Sequence, residues 1–185
     1  MKKFYLKNMK LIHKFLLNQI VISIFGMMTI IPLSEFGKSS MLAATLISTL
    51  FFMFLLYDAA WDEGGRDRNR VCNNRLEYRP LHGVKIALFA YIPTFIFLVP
   101  VFAGAALNRF GWHRLDDLFA VLKTILLFLF NGMYLGFSFL FGQNVFFPLI
   151  LAAYIMPAAL AYGAGYFLGL KDRRFRALFG IKPEK

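Results

Sequence analysis

Five long apolar runs separated by short polar stretches organise the chain: Leu16–Leu33, Met41–Trp61, Val84–Leu107, Leu118–Phe141 and Phe146–Leu170. Each is close to or longer than the roughly 20 residues a helix needs to cross a hydrocarbon core. The runs are continuously apolar and do not alternate, which argues for helices over barrel strands. The expected fold is an all-α helical integral membrane bundle of four or five transmembrane helices, a single domain over residues 1–185 with a polar cytoplasmic loop at 62–83. The run at 118–141 is the least regular. It carries Lys123, Asn131 and the pair Gly132/Gly136, and it follows the polar stretch 108–117. Irregular backbone at membrane depth is tolerated where protein or water surrounds it. This segment therefore reads either as an ordinary span or as a re-entrant or broken helix near Asn131. Prolines 93, 100, 148 and 157 fall inside runs and predict kinks. Ala161, Gly165 and Gly169, four residues apart, predict a close-packing helix face.

Composition agrees with the pattern. Hydrophobic residues make up 59% of the chain, above the 45–50% or so of soluble domains, and that excess cannot be buried within 185 residues. The 23 Phe exclude disorder, and the single Cys72 excludes a disulfide scaffold and reads as a reduced thiol. The formal net charge of +11 falls at the membrane edges, so the anionic headgroups of a lipid bilayer explain it and nucleic acid is not implied. The lysines at 2, 3, 7, 10 and 14 precede the first run, which is long for a signal peptide and lacks a cleavage site. An uncleaved helix with a cytoplasmic N-terminus in a multi-pass cell-membrane protein follows. Residues 3–14 also form an amphipathic stretch of the kind that lies on an anionic leaflet.

Lys and Arg set orientation. Five lie at the N-terminus, six in the segment from Arg66 to Lys85, and six in the tail from Lys171 to Lys185. Four crossings place seventeen of the twenty-one on the cytoplasmic side together with the tail; five crossings leave eleven there. The first distribution has the usual asymmetry and favours a cytoplasmic C-terminus.

The segment Tyr57–Val71 carries the candidate chemistry. Tyr57 and Trp61 share a helix face and suit the headgroup level, which places Asp58 at the apolar boundary. Asp58, Asp62 and Arg66 follow at four-residue spacing. Gly64-Gly65 is expected to weaken or end the helix. The candidate binding cluster is Asp58, Trp61, Asp62, Arg66, Asp67 and Asn69, and it reads as a salt-bridge ladder of Asp58, Asp62 and Arg66, with Glu63 and Asp67 on the next face against Arg68 and Arg70, or as a cation or phosphate site. Asp58, nearest the apolar boundary, is expected to matter more for stability than Asp67, placed further into water. His13, His82 and His113 are scattered and form no metal motif, and no catalytic residues or cofactor are assigned.

Several resemblances bear on this segment. Asp58-x3-Asp62 with Asp67 resembles the aspartate-rich motif of UbiA-type membrane prenyltransferases, which implies a Mg-dependent lipid or prenyl transferase; the second such motif of that family has no counterpart here. Asp62-Glu63-Gly64-Gly65-Arg66 echoes the first half of the CDP-alcohol phosphatidyltransferase motif, and the second half is missing. Tyr57-x3-Trp61-x2-Gly64-x-Arg66-Asp67-x-Asn69-x-Val71 is similar to a run in uncharacterised small integral membrane proteins of Gram-positive bacteria, which implies a class without a function. Length and a basic face resemble the substrate-binding subunits of energy-coupling-factor transporters, although the first run lacks their Ala-x3-Ala surface.

The reading that follows is a non-enzymatic membrane subunit or accessory protein presenting its Arg-rich cytoplasmic loop to a membrane or cytoplasmic protein partner. The alternative is a small transporter or substrate-binding transporter subunit. The transporter reading requires polar groups to converge inside the bundle, and the runs supply few: Asn18, Gln19, Ser23, Thr29, Thr45, Ser48, Thr49, Thr94, Thr124, Asn131 and Ser138, a scarcity that disfavours a charged substrate.

Overall fold

The computed structural model describes residues 2–109, 116–141 and 147–172, and among them no strand occurs. The molecule is an all-α helical membrane bundle. Helix α1 spans Lys2–Ser34 and α2 spans Lys38–Cys72, joined by a tight reversal in which Gly37 adopts φ 103°, a left-handed conformation open to glycine. Helices α3 (His82–Ala90) and α4 (Ile92–Arg109) form a bent pair, as do α5 (Asp116–Ile125) and α6 (Leu135–Phe141). Helices α7 (Phe147–Ala153) and α8 (Ile155–Leu170) complete the chain. Among the described residues three helical stretches are long and apolar enough to cross a membrane, and each bent pair adds one more if it counts as a span.

Two boundaries differ from the expectation. The 33 residues of α1 and 35 residues of α2 give lengths of about 50 Å each, well beyond an apolar core of about 30 Å. Helix α1 starts far ahead of its apolar run, so residues 3–14 continue the span as one straight element; Phe4 and Leu11 pack on the core. Helix α2 runs through Gly64 and Gly65 to Cys72, so only residues 73–81 form a connection. Gly64 does not end the helix because its missing side chain has another use. A Cβ there would lie 2.2 Å from the Tyr166 carbonyl oxygen; equivalent atoms on Gly165 and Gly169 would lie 2.4 and 2.3 Å from the carbonyl oxygens of Tyr57 and Trp61. The expected small-residue face of α8 is thus the seam against α2. The helix ends instead at Asn74, which takes φ 54°. Asn74 N–H donates to Val71 O at 3.0 Å and Arg75 N–H to Arg70 O at 2.9 Å, satisfying the last carbonyls.

Pro93 breaks the third span. It has no N–H for the Phe89 carbonyl, and α3 meets α4 at Tyr91 with a bend of 53°. Pro157 follows the turn at Tyr154 between α7 and α8 by three residues, against two for Pro93 after Tyr91, whereas Pro100 lies within an unbroken α4.

The segment 116–141 is broken. A π-helical turn at Leu126–Phe130 leads to Asn131, and the chain bends by 92°. Near its start, the Phe119 ring lies where a Cβ on Gly104 of α4 would be. After the bend, Gly136 lies against Met41 and Thr45 at the start of α2. Both limbs therefore point to the end of the bundle that holds the α1–α2 reversal. Asn131 reaches only to the level of Gln19 and Ser23, some 16 Å of helix from Ser34.

The opposite end gathers the start of α1, the end of α2, the start of α3 and the end of α8. His82 lies 3.2 Å from Asn8 Oδ1, Tyr166 bonds Asp67, and Arg68 pairs with Asp172. Large apolar side chains such as Leu17, Phe25, Leu50 and Phe54 lie on the outer surface, as a lipid-facing bundle requires.

Candidate functional site

Helix α2 buries Phe52, Leu56, Ala60, Gly64 and Asp67, one stripe at the 3.6-residue period. Following the stripe outwards lands on an aspartate. Asp67 is only 4% exposed and accepts hydrogen bonds from the Tyr166 hydroxyl at 2.8 Å and from Arg70 at 2.9 Å. Asp58 and Asp62 lie on the opposite, exposed face. This corrects the expected ladder: among the described residues neither joins an ion pair, and Arg66 pairs with Glu63 at 3.6 Å. It also reverses the expected ranking, because depth along the helix matters less than which face meets α8. Trp61 is half-buried, with its carbonyl against Gly169, and Asn69 is exposed. Of the six predicted residues, Arg66 and Asp67 border a common cavity with Glu63 and Arg70, Asp62 borders the adjoining one, and Asp58, Trp61 and Asn69 line neither.

That cavity lies between the basic ends of α1 and α2 and measures about 310 Å³. Lys7, Asn8, Lys10 and Leu11 form one wall, with Glu63, Arg66, Asp67 and Arg70 opposite; Leu76, Arg79, His82 and Tyr166 complete it. A second cavity of about 210 Å³ shares Lys10, Leu11, Glu63 and Arg66 and continues towards the apolar core past Lys14, Asp62, Phe15, Leu56, Ala59 and Tyr162. Together they form one cleft. Arg79 also holds Glu77 at 2.7 Å, which keeps that carboxyl below its usual range. The lysines at 7, 10 and 14, read from sequence as the basic stretch ahead of the first run, belong to the site together with Tyr166 and His82. The signal was available for the lysines alone, since positions 7, 10, 11, 14 and 18 share one helix face.

A second polar layer surrounds the break at Asn131. Gln19 Nε2 donates to Phe130 O at 3.0 Å and lies 3.5 Å from Thr94 Oγ1. The Ser23 hydroxyl donates to Phe128 O at 2.8 Å and accepts from Gly132 N–H. Asn131 Nδ2 donates to Leu126 O at 3.1 Å, and Thr49 donates to Met133 O at 3.3 Å. These bonds satisfy backbone groups that the break releases inside the bundle. Tyr134 stacks on Tyr154 at 4.5 Å, and Ser138 donates to the Tyr154 hydroxyl at 3.3 Å. Gln19 Oε1, Asn131 Oδ1 and the hydroxyls of Tyr91 and Tyr134 are buried without a hydrogen-bond partner among the described residues. Gln19, Ser23, Thr49 and Thr94 thus gather around the break at Asn131, and Ser138 and Tyr154 lie beside it through Tyr134.

Among the described residues, no group of three or more His, Cys, Asp or Glu side chains is placed to hold a metal ion. The sequence matches no known family profile, no curated protein and no solved structure.

Proposed function

We propose that the protein is a non-enzymatic, multi-pass membrane subunit or accessory protein that presents the Arg-rich end of α2 to a protein partner in the cytoplasm. The observation that carries this reading is the continuation of α2 as ordered helix to Cys72, about 16 Å beyond Trp61, with Arg66, Asn69 and Arg70 exposed along it. A rigid helical extension with three arginines and three acidic residues interspersed along it is a docking element; a mere membrane anchor needs only charges. The gathering of the α1 start, the α2 end and the α8 end supports a cytoplasmic position for all three basic clusters, and with it a tail on the same side as the N-terminus. The likeness of Tyr57–Val71 to small membrane proteins of Gram-positive bacteria fits a cell-membrane location. A photoreactive residue at position 69 should yield a discrete protein adduct in native membranes, abolished by Arg66→Glu/Arg70→Glu, while one at the outward-facing position 50 should yield lipid adducts only. Equal adduct patterns from both positions would refute the docking role.

A second reading, a small transporter, is favoured by one observation: the break at Asn131 and buried polar atoms without a partner among the described residues lie together inside the bundle. Discontinuous helices at mid-depth are how many transporters bind their solutes. If this reading holds, Gln19→Leu abolishes solute uptake while the protein still folds and inserts.

A further inference from the structure

We propose that the cleft between the basic ends of α1 and α2 binds the phosphate headgroup of an anionic glycerophospholipid. This goes beyond the docking role of the α2 projection and fails or stands separately from it, since the lysines of α1 carry it.

Charge comes first. The cleft is lined by Lys7, Lys10, Lys14, Arg66, Arg70 and Arg79 against the three carboxylates Asp62, Glu63 and Asp67. Two of those carboxylates are already engaged, Glu63 by Arg66 and Asp67 by Arg70 and Tyr166. Among the described residues no ion pair involves Lys7, Lys10 or Lys14, although all three sit on one wall. The site therefore keeps a positive excess directed at whatever enters. Phosphate oxygens, which accept several hydrogen bonds at once, match such a wall of ammonium donors.

Space comes second. The lower cavity alone, at about 210 Å³, far exceeds the roughly 10–15 Å³ that admits one water molecule.

Depth selects a lipid over a free anion. The lower cavity descends to Phe15, Leu56, Ala59 and Tyr162, where the apolar spans begin. The helical repeat extends the same faces from Lys14 and Asn18 to Val21 and Phe25 on α1, and from Ala59 to Leu55 and Phe51 on α2. Val21, Phe25 and Phe51 are exposed apolar side chains. A ligand with its phosphate at Lys10 and Lys14 and its acyl chains along these faces satisfies both halves of the surface. A soluble phosphate satisfies one.

The test uses the full chain purified in detergent, incubated with equal amounts of phosphatidylglycerol and phosphatidylcholine, with retained lipid counted by native mass spectrometry. The wild type should retain phosphatidylglycerol selectively. Each basic side chain near an anionic surface contributes about a fivefold gain, so Lys10→Gln/Lys14→Gln should weaken the preference about thirtyfold. Lys10→Arg/Lys14→Arg should keep it, as should Lys38→Gln at the opposite end. Should the glutamine pair not purify as a folded protein, Lys7→Gln/Arg66→Gln carries the same expectation. Three results would each overturn the proposal: no selectivity in the wild type, selectivity unchanged in the glutamine variants, or displacement of the lipid by glycerol 3-phosphate at matching concentration, which would assign the cleft to a free phosphate.

Discussion

Adjacent glycines in α2 should respond to the same substitution with opposite signs. Gly64 faces α8, where an added Cβ would meet the Tyr166 carbonyl oxygen at 2.2 Å, its carbonyl carbon at 3.0 Å and the Gly169 Cα at 3.1 Å. All three atoms are backbone, so none can rotate away, and the helices must separate by about an ångström to restore contact distance. Overpacking of this kind destabilises by about 1–3 kcal/mol. Separation would also loosen the Tyr166–Asp67 hydrogen bond one turn further along. Gly65 has nothing within 4 Å of its would-be Cβ. It lies beyond Trp61, in the part of α2 outside the apolar run, where alanine favours a helix over glycine by about 0.8–1.0 kcal/mol. Scanning fluorimetry on tryptophan emission in detergent reads both, with Trp61 at the seam itself. At about 2–4 °C per kcal/mol for a chain of this size, Gly64→Ala should lower the Tm by about 2–12 °C and Gly65→Ala should raise it by about 2–4 °C. A Gly64→Ala protein that melts with the wild type, or a Gly65→Ala protein that melts lower, would refute the close α2–α8 approach.

Other perturbations separate the two polar regions. Asp67→Ala leaves the buried Tyr166 hydroxyl without its acceptor and should destabilise by about 1–3 kcal/mol, whereas Asp58→Ala on the exposed face should stay within about 0.5 kcal/mol; the same melting experiment compares them, and the reverse order would show that α2 is rotated from the position described. Ser23→Ala removes both the donor to Phe128 O and the acceptor of Gly132 N–H. It should cost about 1–3 kcal/mol and accelerate hydrogen exchange specifically in residues 126–134, and an unchanged exchange pattern there would refute the role of Ser23 in bracing the break.

Much of the architecture was legible because hydropathy reports it directly. The apolar runs mark the spans, and the weakness of 118–141 at Asn131 and Gly132 marks the break. What composition could not report was pairing. Gly64-Gly65 reads as a helix end when α2 is considered alone, and becomes a contact surface once Gly165 and Gly169 lie opposite. The stop signal was a plain asparagine, Asn74, whose ability to take a left-handed conformation shows only in the backbone. The aspartates were ranked by distance from the apolar boundary, a one-dimensional measure. The stripe Phe52, Leu56, Ala60, Gly64 steps next to Arg68, and the buried face falls on Asp67 instead, three residues on, as the 3.6-residue period drifts against a four-residue count. Tyr166, which bonds Asp67, and His82, which meets Asn8, are far away in sequence and had no local signature.

The braced break has a consequence for how the chain is made. Helices α1 and α2 leave the ribosome long before residues 126–133 exist, so Gln19 and Ser23 enter the bilayer with side-chain polar groups whose later partners are still unsynthesised. The segment 116–141 bends by 92° at Asn131, and backbone groups freed there find partners in the groove formed by Gln19 and Ser23. The expected order of insertion is hairpin first, with the groove at Gln19 and Ser23 receiving the later segment. Moving the coding order, as in a circular permutant that translates 116–141 first, would deprive the segment of its receiver at the moment it meets the membrane.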